Sequence, residues 1–312
     1  MGHDKLRKFA ENETFECLLQ PSAEEVLADG FDHLRDHPVK GHWFEGGSTT
    51  PGAPLILELG CGKGEYTLEL ARRNPDRNYV GVDIKGARLW RGAKTATQEG
   101  LPNVRFLRTR IEFITAYFAP GEVSEIWLTF SDPQPKSENN RLTSPGFLER
   151  YRKMLKPGGV VRLKTDSRFL HEYTRAVIEA NGLKVLASTT DLYGEVVHEN
   201  GPKCAQPHVS EVGSCTKTAQ SVHNPSAYDA ACGTPLGGST SPAPFSIEPE
   251  VREVQTFYES MFLEQGVPIT YLAFTIDKEG PYEHPAEKFD PARWRELDDS
   301  RRSFGHGKTD NH

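Results

Sequence analysis

A short run over 55–59, Leu-Ile-Leu-Glu-Leu, leads straight into three glycines at alternate positions, Gly60, Gly62 and Gly64, and then into a helix-forming stretch beginning at Glu65. This succession constrains the chain more than any other feature. An apolar run of five residues suits a buried strand. Alternate glycines let the backbone turn tightly and approach a ligand without interference from Cβ atoms. The same unit then recurs. Strands are expected over 79–82, ending in Asp83, and over 104–107, 125–130 and 160–164, with helices over 65–73, 86–99, 111–118, 147–155 and 168–180. Ser144 and Pro145 supply a cap and first residue for the helix over 147–155, Lys156-Pro-Gly-Gly159 a sharp turn after it, and Asn181-Gly182 the stop after 180. Repeated strand–helix units specify an α/β fold with a parallel sheet covered on both faces. In such sheets ligands bind at the carboxyl ends of the strands.

The rest of the chain divides by composition. Residues 1–50 are polar and mixed and read as an N-terminal extension. Residues 51–198 and 251–277 carry the α/β domain, the latter with a helix over 251–265 and a last strand over 269–276. Residues 199–250, rich in Gly, Pro, Ser and Thr, read as a flexible insertion, and 278–312 as a charged, peripheral tail. A hydrophobic fraction of 36% and a mean hydropathy of −0.58 agree with a chain that is partly loop. No run approaches the ~18 apolar residues of a membrane span, and residues 1–10 are charged, so the expected compartment is the cytoplasm. Five cysteines at irregular spacing, with no CxxC pair, point to free thiols and to no metal site. Cys204, Cys215 and Cys232 do share a segment with His208 and His223. A formal net charge of −7 argues against a protein that coats nucleic acid, but not against a local basic face.

The glycine spacing discriminates between cofactors. A dinucleotide fingerprint needs G-x-G-x-x-G, and its third glycine position holds Glu65. Glu58, just before the loop, is a poor neighbour for a pyrophosphate but suits a ligand carrying a sulfonium and an ammonium. Asp83, at the end of the second strand, is placed to accept hydrogen bonds from ribose hydroxyls. The glycines alone fit any doubly wound protein, with Asp83 as a helix cap. Together with Glu58 and Asp83 they favour S-adenosyl-L-methionine over a nicotinamide.

The fourth strand ends in Trp127-Leu-Thr-Phe-Ser-Asp-Pro-Gln-Pro-Lys136, which puts Asp132 where a parallel sheet presents its ligand. Asp-Pro is also an ordinary turn dipeptide. Over 5–193 and 251–276 the chain resembles the bacterial tRNA (guanine-46-N7) methyltransferases. Their F-P-D-P-x-x-K signature stands here as Phe130 to Lys136, their T-D as Thr165-Asp166, and their T-x-[FY]-E as Thr256-Phe257-Tyr258-Glu259. The resemblance implies a Rossmann-like class I methyltransferase with a seven-stranded, mostly parallel sheet, helices on both faces and an antiparallel last strand. It implies that Glu58, Gly60, Gly62, Gly64, Asp83 and Glu112 bind S-adenosyl-L-methionine and that Asp132 lies at the active centre. Lys136, Asp166, Arg141 and the stretch Thr256, Phe257, Tyr258 and Glu259 would meet the substrate. Asp166 reads equally as a helix cap, Thr256-x-x-Glu259 as a capping box, and Lys136 as a solvated charge. The chain departs from the pattern at Ser131, where the family has proline; after Lys136, where Arg141 is the lone basic residue; and at the third-strand end, where Arg110 precedes Glu112.

Guanine N7 carries a lone pair and no proton, so methylation there needs no general base. Asp132 is therefore expected to act by position and charge. The expected partner is tRNA, gripped through its phosphates by Lys5, Arg7, Lys8, Lys136 and Arg141, with no membrane contact and the protein a monomer or homodimer. Two other readings stay open at this point: a methyltransferase of another substrate, and a non-catalytic RNA-binding protein on the same fold.

Overall fold

The strand–helix alternation becomes one continuous sheet. The structure is a computed structural model and describes residues 2–30, 33–45, 52–194, 247–290, 292 and 294. The strands are β1 (Leu18–Leu19), β2 (Leu55–Leu59), β3 (Asn78–Asp83), β4 (Val104–Arg108), β5 (Val123–Thr129), β6 (Leu155–Thr165), β7 (Val185–Thr189) and β8 (Thr270–Thr275). The helices are α1 (Gly2–Asn12), α2 (Ala23–Leu27), α3 (Glu65–Arg73), α4 (Gly86–Glu99), α5 (Pro145–Met154), α6 (Arg168–Ala180), α7 (Pro249–Glu253) and α8 (Phe257–Glu264). The sheet order is β1-β4-β3-β2-β5-β6-β8-β7. All pairs are parallel except those of β8, which runs antiparallel to both β6 and β7. The antiparallel last strand is as expected. The sheet has eight strands and not seven because the two-residue β1 pairs with β4 at the edge.

Central β2 pairs with β3 on one side and β5 on the other, with Leu57 opposite both Val80 and Ile126. The connection after β2 runs to β3 and that after neighbouring β5 runs the opposite way to β6, so a crevice opens beyond their carboxyl ends. Leu57, Leu59, Val80, Val82, Ile126 and Leu128 are fully buried. Each such side chain contributes roughly 1.5–3 kcal/mol relative to exposure. That burial fixes the strand ends from which the site is built.

Several segments differ from the sequence reading. Residues 1–50 are not merely a polar extension, because α1 packs on α4. There Asn12 Nδ2 donates to the Gly86 carbonyl at 3.0 Å, and Trp43 Nε1 donates to the Tyr117 carbonyl at 2.9 Å. The helix expected over 251–265 is two helices separated at 254–256. The one expected over 111–118 is a 3₁₀ turn, Ile111–Ala116. Lys156 to Gly159 lie inside β6, whose Gly158 has φ +74°. Residues 278–290 are stitched to the domain: Asn181 Nδ2 donates to the Glu283 carbonyl, and Tyr282 is buried. Residues 195–246, with Cys204, Cys215, Cys232, His208 and His223, lie outside the described residues.

One packing feature ties the sheet to the glycine bend. The Phe106 ring of β4 fills the space that Cβ atoms would need at three glycines. A Cβ would lie 2.6 Å from the ring at Gly64 and at Gly92, and 2.8 Å at Gly81. At Gly92 it would also lie 2.8 Å from the Lys63 carbonyl oxygen, which is backbone and cannot swing aside. In an open helix Gly→Ala is worth about 1 kcal/mol in favour of the folded state. Here Gly92→Ala is expected to reverse that sign and cost roughly 1–3 kcal/mol in urea titrations. Adding Phe106→Leu should recover part of the loss. A stabilised Gly92→Ala protein would show that the ring has room to move.

Candidate active site

The bend after β2 is held by main-chain bonds. Gly60 and Cys61 N–H groups both donate to the Val82 carbonyl, at 2.8 and 3.0 Å. Gly60 and Gly62 have φ of +82° and +58°, a region that costs a residue with a Cβ. A Cβ at Gly62 would meet nothing within 4 Å, so the bend faces open space. Asp83 closes the geometry from β3. Its Oδ2 accepts from Gly62 N at 3.0 Å and its Oδ1 from Lys85 N at 2.7 Å. The carboxylate is thus braced by the loop beside it.

Two clefts meet at Gly60. The larger, of about 290 Å³, is lined by Asp83, Ile84, Arg110, Glu112, Gln134, Leu142 and Phe147 among others. The smaller, of about 100 Å³, is lined by Glu58, Cys61, Gly62, Lys63, Thr129, Phe130, Thr256 and Tyr258 among others. A cavity of about 390 Å³ lies elsewhere, midway along the strands around Trp127 and Arg162. The Arg162 guanidinium there is already bonded to Glu125 at 2.7 Å and Glu248 at 2.8 Å, and no sequence motif reaches it. The paired clefts at the strand ends are the better candidate.

Three sequence segments reach these clefts. On β2, Glu58 is buried and both its oxygens are engaged. One accepts from Thr67 N at 2.9 Å and from the Thr67 hydroxyl; the other accepts from the Thr129 hydroxyl. After β5, Phe130 takes φ +50° with its N–H on the Lys164 carbonyl at 2.8 Å. Asp132 follows as an exposed carboxylate whose Oδ1 accepts from Gln134 N at 2.9 Å. It therefore forms a turn, and in sequence it lies between Phe130, which lines the smaller cleft, and Gln134, which lines the larger. At α8, Thr256 and Glu259 form the expected capping box. The outward and inward residues of that motif separate. Phe257 and Tyr258 are 58% and 56% exposed, whereas Glu259 is fully buried against Lys164 Nζ at 2.7 Å.

A family profile described as "Putative methyltransferase" matches residues 52–214. A tRNA (guanine-N(7)-)-methyltransferase of Christiangramia forsetii is 44% identical over 88% of this chain and 98% of its own length. Proteins of the same name from Bacteroides thetaiotaomicron and Porphyromonas gingivalis are 38% and 39% identical, over 97% and 85% of this chain and 98% and 89% of their own. The chain belongs to the tRNA (guanine-N7) methyltransferase family.

Against the family's motifs, the structure relocates several residues. Arg141 does not stand on a solvent rim. It is 3% exposed, with its guanidinium 4.6 Å from the centre of the Phe169 ring and 4.2 Å from that of Tyr173. Ser167, not Asp166, caps α6, accepting from Leu170 N at 3.2 Å; Asp166 is half-buried beside it. Lys136 is exposed. Ser131, in the family's proline position, has a buried hydroxyl with no hydrogen-bond partner among the described residues. Arg110 bonds Glu112 at 2.8 Å on the wall of the larger cleft. Burial alone would raise the Glu112 carboxyl, but the Arg110 hydrogen bond and the neighbouring cations outweigh it and hold it below its ordinary value. Sequence reasoning missed Lys164. Its signal was a pair of cations, Arg162 and Lys164, at alternate positions in a strand expected to be buried on both faces.

Burial raises the Glu58 carboxyl from its ordinary 4.5 to about 7, against the opposing hydrogen bonds from Thr129 and Thr67. A carboxyl raised in the folded state binds its proton more tightly there than in the unfolded chain. Its contribution to stability is present below pH ~4.5 and is lost as pH rises through ~7, on the order of 3 kcal/mol in total. Stability curves of the ligand-free protein should therefore fall across that interval more steeply than those of Glu58→Gln. Parallel curves for the two proteins would refute the raised value.

Proposed function

We propose that this protein transfers the methyl group of S-adenosyl-L-methionine to N7 of a guanine in tRNA, the guanine at position 46 of the variable loop. The observation that carries the reading is convergence. The bend at Gly60–Gly64, the strand end before Asp132 and the start of α8 lie far apart in sequence but line clefts that share Gly60.

The residues present fit the cofactor. Open backbone at Gly62, a braced carboxylate at Asp83 and apolar surface from Ile84, Leu142 and Phe147 suit a nucleoside. Asp83 would hold the ribose hydroxyls, Glu112 the purine side, and Gly60, Gly62 and Gly64 the close-packed backbone beneath. Glu58, with both oxygens occupied, would act through the field of its carboxylate and by fixing the bend. The bound cofactor supplies an electrophilic methyl group on a sulfonium.

The protein's own part is orientation and charge. Guanine N7 would take the methyl group through its in-plane lone pair as the carbon–sulfur bond breaks, so that sulfur leaves as a neutral thioether and the positive charge passes to the purine. Asp132 is exposed two residues after Phe130 of the smaller cleft and two before Gln134 of the larger, and its carboxylate would stabilise that charge and accept from the N1 and N2 donors of the base. Phe257 and Tyr258 offer exposed rings on which a base can stack. Thr256, Glu259, Asp166 and Lys136 complete the substrate side, Glu259 from within.

The tRNA backbone would be met by α1. Its Lys5 lies 5.8 Å from the centre of the Phe9 ring, while Arg7 and Lys8 lie 5.3 and 4.9 Å from that of Trp90 on α4. Exposed Lys136 would add a further phosphate contact, whereas Arg141 sits inside. tRNA affinity should fall steeply with added salt. Among the described residues no helix is long and apolar enough to cross a membrane, and we assign the activity to the cytoplasm.

Incubation with labelled S-adenosyl-L-methionine and unmodified tRNA, followed by chemical strand cleavage at N7-methylguanine, should give one break at guanine 46. Asp132→Asn is expected to lower kcat by ~100-fold or more while cofactor affinity changes little. With S-adenosyl-L-methionine saturating, so that its bound cations hold Glu58 ionised, the wild-type rate should stay flat from about pH 6 to about pH 9, since no proton is abstracted. A rate rising steeply through neutrality, or undiminished methylation of tRNA carrying adenine at that position, would sink the reading.

A further inference from the structure

Lys164 holds both substrate-facing segments at once. It lies on β6, opposite Thr129 of β5 and Tyr271 of β8, and is fully buried. Its main-chain carbonyl accepts from Phe130 N at 2.8 Å, at the left-handed residue that launches the Asp132 turn. Its ammonium reaches the opposite way. It bonds Glu259 Oε1 at 2.7 Å and donates to the carbonyls of Val251 at 2.6 Å and Val254 at 2.9 Å. A lysine has three N–H donors, and all three are used.

The partners matter because the segment they belong to cannot hold itself in place. α7 has five residues and α8 has eight, below the length at which an isolated helix persists in water. Between them the chain leaves helical geometry at 254–256, and it then exposes Phe257 and Tyr258. Val251 stands before the break and Val254 opens it. Glu259 stands after it, and its carboxylate also accepts from Thr256 N at 3.4 Å and from the Tyr193 hydroxyl at 2.7 Å. One ammonium therefore grips the break from both sides. An apolar side chain at 164 could fill the space but could not set the angle at which Thr256 and Tyr258 meet the smaller cleft.

We infer that Lys164 is a positioning residue for methyl transfer, setting the tRNA-facing edge of the cleft through Glu259 and the 251–254 carbonyls while its own backbone fixes the start of the Asp132 turn. This rests on the tRNA reading of the site. Lys164 touches neither cleft's contents and takes no part in the chemistry.

The test uses the full-length protein and three variants. Lys164→Met strands a buried carboxylate and risks unfolding. Glu259→Gln keeps the cap on Thr256, and Lys164→Met/Glu259→Gln removes both charges. In the folded variants, exchange of amides over 252–262 should quicken by about 10-fold or more, with β2, β3 and β4 unchanged. S-adenosyl-L-methionine affinity should stay within about 3-fold, while kcat/KM for tRNA falls by about 10-fold or more, chiefly through KM. Unaltered exchange over 252–262, unaltered tRNA kinetics, or cofactor affinity lost in step with Tm would each overturn the inference. So would failure of all three variants to fold, since the pair would then serve the fold at large. If the wild-type protein methylates no tRNA, the functional reading falls, and the exchange measurement still decides whether Lys164 holds the segment.

Discussion

Burying charge at the carboxyl ends of a parallel sheet is costly unless every charge finds a partner, and this constraint organises the site. Strands buried on both faces are ordinarily near-continuous apolar runs. Here four neighbouring strands end in buried polar side chains: Asp83 on β3, Glu58 on β2, Thr129 on β5 and Lys164 on β6. An unpaired buried ion costs several kcal/mol, so each of these groups must be met. The partners come from the segments that surround the clefts. Asp83 is met by Gly62 and Lys85, Glu58 by Thr67 and Thr129, and Lys164 by Glu259 and two carbonyls. Loops that would otherwise be soft are thereby fixed by a penalty for letting go.

The same logic explains why Glu58 and Glu259 look like ligand-binding acids in sequence and behave as anchors in space. Their motifs sit at ligand-facing strand and helix ends, which is what a linear pattern can report. It cannot report which way a side chain turns. Glu58 turns toward the first turn of α3, where an unpaired helix N–H on Thr67 awaits an acceptor. Glu259 turns inward to a lysine 95 positions earlier in the chain (259 minus 164). The residues left facing outward, Asp132, Phe257 and Tyr258, are those with surface to offer a base.

Legibility in the sequence followed locality. Helices α3, α4 and α6 fall on their expected bounds because their stops are local: αL Gly100 after α4, and Asn181, whose amide returns to the Val177 carbonyl, after α6. The glycine bend and Asp83 were equally local, one turn joined to one strand. What the pattern left unread depends on distant partners. α1 is charged along its length, and it is held by Asn12 on Gly86 and by cations over Trp90, none of it visible within its own residues. The unbroken helix expected over 251–265 is divided where Lys164 claims two carbonyls, an event set by another strand. Strand β7 is half-buried at three of its five positions, two of them consecutive, and gave no clear period. Gly64 was readable as a turn residue, but its second reason, the Phe106 ring it shares with Gly81 and Gly92, lies on β4.

An acidic protein that grips a polyanion needs its cations concentrated and held, and the α1–α4 surface does this without a basic run in the sequence. Trp90 collects Arg7, Lys8 and Lys94, and Phe9 collects Lys5 and Arg108. A cation over an aromatic face keeps its charge while losing rotamer freedom in advance, so less order has to be imposed when a phosphate arrives. Glu11 offsets part of this charge through Arg7 and Lys94, at 3.2 and 2.7 Å. Lys5 and Arg108 lie over Phe9 on the side of Ile84, a residue of the larger cleft, where Arg108 Nε donates to the Ile84 carbonyl at 3.5 Å. On the proposed tRNA reading, this surface would serve in place of the thin basic stretch after Lys136 and the inward Arg141. On this helix pair aromatic rings hold the cations in place, which a loop would not do.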